Sequence, residues 1–484
     1  MSSIISNLKA NKISMPYWLG QLFAYIPFSW RPMVGKQYRG KVKEMRAYDE
    51  MNGDERRQFI FEHMYKIVEY AIKNIKFYQE FYAKKGFKLE DLKSFEDIEK
   101  IPVITKQDLL EYSIEDRTNM DVKKYKVNTG GSSGYTLSFY HSPDRIGTGW
   151  AHYHRMWGRL GFKPYKLRMT LGGRSNIQGG LWYEFARHAI ALDMYKPYEE
   201  TAPKLKKFLR RHKCYFLHGY PSVMADLAAY CEKDDELREL LNLGLQGAFL
   251  NSEFPYPMYR DKVEQVFGIR TQSFYGHTES CVMAWEDDDE KFLYHPYQTY
   301  GYGEAVKNES GKYDLIGTSY DNIASPLIRY NTKDIIDKPE YENGILTSFY
   351  IYEGRSNQVV VDKNGMNISL TGLIMGRHHT LMEKSSHIQV SQKEKGKATI
   401  YYVPLPDADI KEPSILFDSN NVQIDFEFVA LQEPIRTKAG KVLLLVDYKR
   451  AIEALGGGRF RLKVNGYWLK FIMGCALKDW RVAA

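Results

Sequence analysis

Apolar residues recur at helical spacing between positions 54 and 82. Ile60, Met64, Ile67, Val68, Ala71 and Ile75 share one face, with charges between them, and predict one long helix from Asp54 to Tyr82. Ile101 to Asp108 reads as a strand or turn entering a short helix, capped by Thr105 with Asp108 in its first turn. Farther on, helical stretches (146–160, 204–212, 222–230 and one closing at Phe267) alternate with short apolar runs. Those runs, Leu167–Leu171, Tyr215–Leu217, Gly247–Leu250 and Thr271–Phe274, predict buried strands. The alternation implies an α/β core with parallel pairing, in which ligands gather at the carboxyl ends of strands. Two polar clusters follow strands in this way: Ser252-Glu253 and Tyr275-Gly276-His277-Thr278-Glu279.

The pattern changes near Gly301, where short strands, turns and charges predict a β subdomain to Asp337. A polar turn, Glu353-Gly354-Arg355-Ser356-Asn357, is a candidate hinge. Beyond it Val359–Val361, Thr399–Val403 and Phe426–Val429 predict strands of a small α+β domain. The expected organisation is therefore α/β: a large N-terminal domain (1–353) with mixed or parallel sheets and a β subdomain, a small C-terminal domain (354–455), and a basic aromatic tail (456–484) of unassigned role.

At 484 residues the chain is long enough for two or three domains. A net charge of +8 spread over that length fits an anionic ligand or surface and does not by itself signal nucleic-acid binding. The cysteines Cys214, Cys231, Cys281 and Cys475 are far apart, which argues against a disulfide framework and for a reducing, cytoplasmic compartment. No run reaches the roughly 20 apolar residues of a membrane span. The aromatic stretch Tyr17–Trp30 is expected to pack on the main domain, with a peripheral membrane contact as the alternative.

Asn128-Thr129-Gly130-Gly131-Ser132-Ser133-Gly134-Tyr135 concentrates glycines and hydroxyls between two strand-like runs. Glycine opens conformations that turn successive N–H groups toward one anion. No Gly-Lys-Ser/Thr ends the loop and no helix pattern opens after it, so it is not the usual nucleotide loop. On its own it reads best as a surface turn.

Taken in order, the clusters form a set. The loop resembles the Ser/Thr/Gly-rich loop of the adenylate-forming superfamily, and Tyr275 to Glu279 resembles that superfamily's Tyr-Gly-x-Thr-Glu motif. Arg329-Tyr330-Asn331-Thr332-Lys333-Asp334 resembles its Tyr-Arg-Thr-Gly-Asp motif, Gly354-Arg355 the start of its hinge, and Pro434 to Lys441 its terminal Gly-Lys. Ile75 to Tyr78, Ile101 to Lys106, Gly219 to Ser222 and Asn251 to Glu253 are similar to the phenylacetate–CoA ligase-like group, and more closely to members associated with capsular polysaccharide synthesis. The resemblance covers roughly residues 15 to 450.

It implies activation of a carboxylic acid by ATP with Mg²⁺, followed by acyl transfer to CoA or to an amine or hydroxyl of a saccharide precursor, with the small domain mobile. Thr129, Gly130, Gly131, Ser132, Ser133 and Gly134 would hold phosphates. Glu279 would hold Mg²⁺, Thr278 would bond the α-phosphate, Tyr275 would stack on adenine and Asp334 would accept from the ribose hydroxyls. Ser252, Glu253, Gly276 and Arg355 would complete the nucleotide site, and Lys441 would bridge carboxylate and α-phosphate. Singly, each has an ordinary reading: Tyr275 a rim tyrosine, Glu279 a cap, Asp334 a turn residue, Lys441 a solvated lysine. The histidines, His277 included, read as structural. The chain departs from the pattern at Gly130-Gly131, Thr136, Asn331, Lys333 and Ser356-Asn357-Gln358. The alternatives are a catabolic aryl- or acyl-CoA ligase and a nucleotide-binding scaffold without turnover.

Overall fold

A computed structural model describes residues 15–128, 137–172, 177–193, 196–351, 359–365, 367–370, 373–374, 379–420, 422–437, 440, 442–454, 459–464 and 467–472. The chain forms two compact units, Met1–Arg355 and a second made of Ser356–Lys438 and Val442–Ala484.

The periodic stretch at 54–82 forms two helices rather than one, Gly53–Asn74 and Lys76–Lys85. Asn52 opens the first with a reciprocal capping box to Glu55. The break falls at Ile75, whose backbone is extended (φ −134°, ψ 116°) while its side chain stays buried. The Phe77 N–H then bonds the Asp116 carbonyl, and the second helix turns Phe77, Tyr78, Phe81 and Tyr82 into the core. Burial of these rings overrides continuous helical hydrogen bonding, a preference worth only tenths of a kcal/mol per residue. Thr105 caps the helix Lys106–Leu110 and shares a capping box with Asp108, as expected.

Strands β1 (Tyr125–Asn128) and β2 (Ser138–His141) pair antiparallel, Asn128 opposite Ser138. One twelve-stranded sheet contains β3 (Arg168–Leu171), β4 (Leu181–Glu184), β5 (Ala189–Leu192), β6 (Phe216–Gly219), β7 (Gly247–Leu250), β8 (Arg270–Gly276), β9 (Met283–Glu286), β10 (Leu293–Pro296), β11 (Gly301–Lys307), β12 (Tyr313–Ser319), β13 (Tyr330–Glu342) and β14 (Ile345–Tyr350). Its order is β11-β12-β13-β14-β10-β9-β8-β7-β6-β3-β5-β4. Strands β5, β3, β6, β7 and β8 run parallel, with β4 antiparallel at the edge. From β8 onward every pairing is antiparallel. The segment expected to form a β subdomain thus continues the same sheet. β4 and β5 had no signal in the sequence reading: residues 181–192 mix apolar residues with Glu184, Arg187 and His188 without a helical or strand period.

In the second unit β15 (Val359–Val361) pairs with β16 (Asn367–Ser369). β17 (Ser385–Glu394), β18 (Lys397–Pro404) and β19 (Asp425–Ala430) form a sheet, antiparallel then parallel. Helix Tyr448–Ala454 adds Ala451 to a core with Tyr401, Ile435 and Val446. In the tail, β20 (Arg459–Val464) pairs antiparallel with β21 (Tyr467–Ile472).

Candidate active site

The carboxyl ends of the parallel strands share one edge of the sheet, where the expected clusters emerge. β6 ends at Gly219, whose φ of +148° only glycine adopts readily and where a Cβ would meet the Leu171 carbonyl oxygen at 1.8 Å. That close approach lets the Tyr220 N–H bond the same carbonyl and starts the helix Pro221–Cys231. β7 ends at Asn251-Ser252-Glu253. Ser252 adopts a left-handed conformation (φ 67°), and a Glu253 carboxylate oxygen accepts from the Ser222 N–H at 3.2 Å. Glu253 therefore sits at the positive end of that helix, an electrostatically favourable place for a carboxylate. Ser252 is exposed.

β8 delivers Tyr275, exposed Gly276 and the turn to Glu279. The Tyr275 hydroxyl donates to Asp334 at 2.6 Å, joining positions 59 apart in sequence. The Tyr275 ring centroid lies 5.7 Å from that of His277. His277 Nε2 accepts from the Val282 N–H at 3.3 Å, so its proton sits on Nδ1 and is donated to buried Glu279 at 3.2 Å. His277, read from sequence as structural, is thus the residue that orients the expected metal ligand. Thr278 is exposed. Ser280, immediately after, is left-handed (φ 58°).

Asp334 lies on β13 behind a built turn. Asn331 donates to Asp314 at 2.7 Å and accepts from the Lys333 N–H at 2.8 Å. Thr332 Oγ1 accepts from the Asp334 N–H at 3.1 Å. Lys333 is left-handed (φ 61°), so the chain needs there the conformation that the glycine of the resembled motif supplies without strain. Arg329 is buried: its guanidinium pairs with Glu304 (2.7 Å and 2.9 Å) and bonds the carbonyls of Glu99 and Ile101. It ties the 99–104 segment, including the Ile104–Tyr330 bridge, to the strand that carries Asp334.

Behind Glu279 lies a cluster the sequence reading missed. Arg145, buried, reaches the His141 ring at 3.3 Å and the Tyr300 hydroxyl at 2.8 Å. Burial first, and then the Arg145 cation, hold His141 down at about 3, against the opposing pull of Glu279 and the Thr278 backbone. His141 is therefore neutral at physiological pH. Its place opposite Tyr125 in the β1–β2 pair was invisible without the strand register.

The glycine loop residues Thr129, Gly130, Gly131, Ser132, Ser133 and Gly134, the hinge Arg355, and Lys441 lie outside the described residues. The limbs leading to Lys441 are described. Arg436 bridges Val442, and buried Gln389 accepts from the Ile435 N–H (2.7 Å) while donating to the carbonyls of Ile435 and Leu443 (2.9 Å and 2.8 Å). Gln389 thereby clamps the base of that turn. A lone glutamine in a strand run gives no sequence signal for such a role. Phe216, Leu217, Ala248, Phe249 and Leu250, in β6 and β7, are solid core. Phe216 stacks on Phe249 (5.2 Å), and His218 lies against Trp157 (4.9 Å).

No protein-family model matches the chain. It is 22% identical over 417 residues to protein CapK of Staphylococcus aureus, covering 81% of this chain and 89% of that protein. It is 25% identical over 298 residues to a phenylacetate-coenzyme A ligase of Pseudomonas putida (58% and 66%). Its fold matches that of 2-hydroxyisobutyryl-CoA ligase, solved in the postadenylation state with 2-HIB-AMP, with a TM-score of 0.62, 18% identity and coverage of 83% and 91%.

Proposed function

We propose that this chain, a member of the adenylate-forming superfamily by its sequence relatives and its fold, is an AMP-forming ligase that activates a carboxylic acid as its acyl-adenylate and transfers the acyl group. The observation that carries the reading is the Tyr275–Asp334 hydrogen bond beside the His277-held Glu279, which gathers two separate motifs at the carboxyl edge of the sheet. Adenylation concentrates negative charge at the α-phosphorus, so the work of the protein is positioning and charge stabilisation.

In this reading Tyr275 presents its ring to adenine while its hydroxyl fixes Asp334, which accepts from the ribose. Thr278, exposed at the turn, donates to the α-phosphate. Ser252, Glu253, Gly276 and Arg355 complete the nucleotide site, the backbone from Thr129 to Gly134 holds the distal phosphates, and Lys441 supplies the last positive charge. Among the described residues no group of three or more His, Cys, Asp or Glu could hold a metal ion by itself. Mg²⁺ binds through one or two carboxylates together with substrate phosphates. Glu279 would hold it, and the ion would neutralise charge on the phosphates. The small second unit would move as a lid.

The similarity to CapK supports a saccharide precursor as acceptor and a role in capsule or exopolysaccharide synthesis. The similarity to the coenzyme A ligases supports CoA as acceptor. Incubation with ATP, Mg²⁺, hydroxylamine and a panel of acids is expected to release pyrophosphate and form a hydroxamate. Silence with every acid would end the ligase reading. Replacing hydroxylamine by CoA or by sugar nucleotides separates the acceptors: AMP release in excess over enzyme with CoA alone favours the catabolic type.

A further inference from the structure

The helix Tyr17–Tyr25 is pinned to the large unit along one side. Gly20 lies where a Cβ would meet the Tyr183 hydroxyl at 1.9 Å, and the Tyr17 ring lies 3.8 Å from that of His212. Buried Arg31 closes the helix by donating to the carbonyls of Ala24 and Ile26, and lies against the rings of Phe23 and Phe28. The opposite side is largely exposed. Trp18, Leu22 and Tyr25 recur at i, i+4 and i+7, Tyr25 stacking on Tyr165 at 5.0 Å, and exposed Ile26, Trp30 and Met33 follow the helix; Trp18 is 62% and Trp30 73% exposed. Six large exposed apolar side chains on so short a segment are a concentration of the kind that marks an interaction surface.

Charge selects the partner. No Asp or Glu precedes Glu44, whereas Lys9, Lys12, Arg31, Lys36, Arg39, Lys41 and Lys43 do. Lys41 is buried against Glu44 and Asp321 and plays a structural part. Lys36, Arg39 and Lys43 are exposed at i, i+3 and i+7 on the helix Gly35–Glu50, directly after the patch. A second copy related by a two-fold axis would bring this positive charge against itself. Tryptophan and tyrosine beside lysine and arginine suit the interface of an anionic bilayer, where the rings sit at headgroup level and the cations meet lipid phosphate.

We infer that residues 17–43 dock the protein on an anionic membrane surface, the helix lying in the interface without crossing it. No described helix is long and apolar enough to span a bilayer. The inference does not depend on the ligase reading.

Flotation of the full-length protein with vesicles of equal parts phosphatidylcholine and phosphatidylglycerol tests it. Binding is expected to the mixed vesicles, to weaken in high salt, and to be much lower on phosphatidylcholine alone. The double variant W18S/W30S should lose about tenfold or more in partitioning. K36Q should lose about fivefold, in a salt-dependent manner. Both variants should keep the parent melting temperature, since these side chains are solvated. Absence of flotation, or flotation indifferent to W18S/W30S, overturns the proposal. So does a dimer in solution that W18S/W30S dissociates while vesicles remain unbound.

Discussion

The two halves of the large sheet reach the same end by different means. The parallel half is made of short, largely apolar strands buried on both faces, though β3 opens with buried Arg168: β5 and β7 have no exposed position, and Phe216 of β6 stacks on Phe249 of β7, which stacks on Trp157 of the helix Arg145–Trp157. The antiparallel half is held by paired charge. Arg260 and Glu286, 2% and 1% exposed, meet in a two-pronged bridge at 2.6 Å. Glu286 also accepts from the N–H groups of Ser273 and Phe292. Arg329 and Glu304 repeat the device. Dispersion and apolar burial tolerate small shifts, whereas a buried ion pair fixes orientation, because every lone pair must be met. Glu279 and Asp334 emerge on the side of the sheet fixed by charge. The helix Arg145–Trp157 spans the contrast: Trp157 stacks on Phe249, while His152 bonds Thr299 beside β11.

The sharpest way to break this contrast is Glu286→Ala, which strands a buried guanidinium and should cost about 3–5 kcal/mol, read as a fall in the urea midpoint. Phe249→Ala should cost a similar amount, about 3–5 kcal/mol, by opening a cavity. The difference appears on repair: R260M/E286L should recover the part of the loss due to the stranded guanidinium, the Ser273 and Phe292 N–H groups staying unmet. A double variant no better than Glu286→Ala would remove the charge account.

Next in size is Glu279→Gln, expected to cut adenylation about a hundredfold or more while leaving the melting temperature close to parent. A large stability loss with intact turnover would make Glu279 a purely structural acid.

The buried histidines give a third test. His152 donates from Nδ1 to the Thr148 carbonyl and accepts at Nε2 from Thr299, and burial followed by the Lys41 charge holds it at about 3. Its unfolded value is 6.5. Between the two the unfolded chain binds more protons, so stability is whole above about pH 6.5 and is lost as pH falls toward 3, roughly 2 kcal/mol by pH 5 for this residue. His152→Gln should flatten the fall of the urea midpoint between pH 7 and pH 5. An unchanged slope would contradict it.

The smallest effect is expected from Tyr275→Phe. Losing one hydrogen bond to a half-buried carboxylate is worth about 1 kcal/mol, or roughly fivefold in the KM for ATP with kcat little changed. A change in kcat alone would place Tyr275 away from nucleotide binding.

Much of this was legible in the chain. The strand cores Gly247–Leu250 and Val359–Val361 and the Thr105 cap follow from local pattern, because runs of apolar residues and capping pairs act within a few positions. What escaped was non-local. The break at Ile75, the hold of His277 on Glu279 and the clamp of Gln389 below the Lys441 turn each depend on partners that nothing in the local sequence nominates.

By itself the sequence determined most of the parallel strands and the helices between them, which polar clusters would follow strands, and the order of the motifs, since these rest on side-chain periodicity and backbone propensity. Only the tertiary structure decided that residues 301–350 extend one continuous sheet, that Tyr275 closes on Asp334, and that Trp18 and Leu22 of the helix Tyr17–Tyr25 stay exposed. Those outcomes depend on which distant groups meet, and on buried charges and hydrogen-bonding groups each finding a partner.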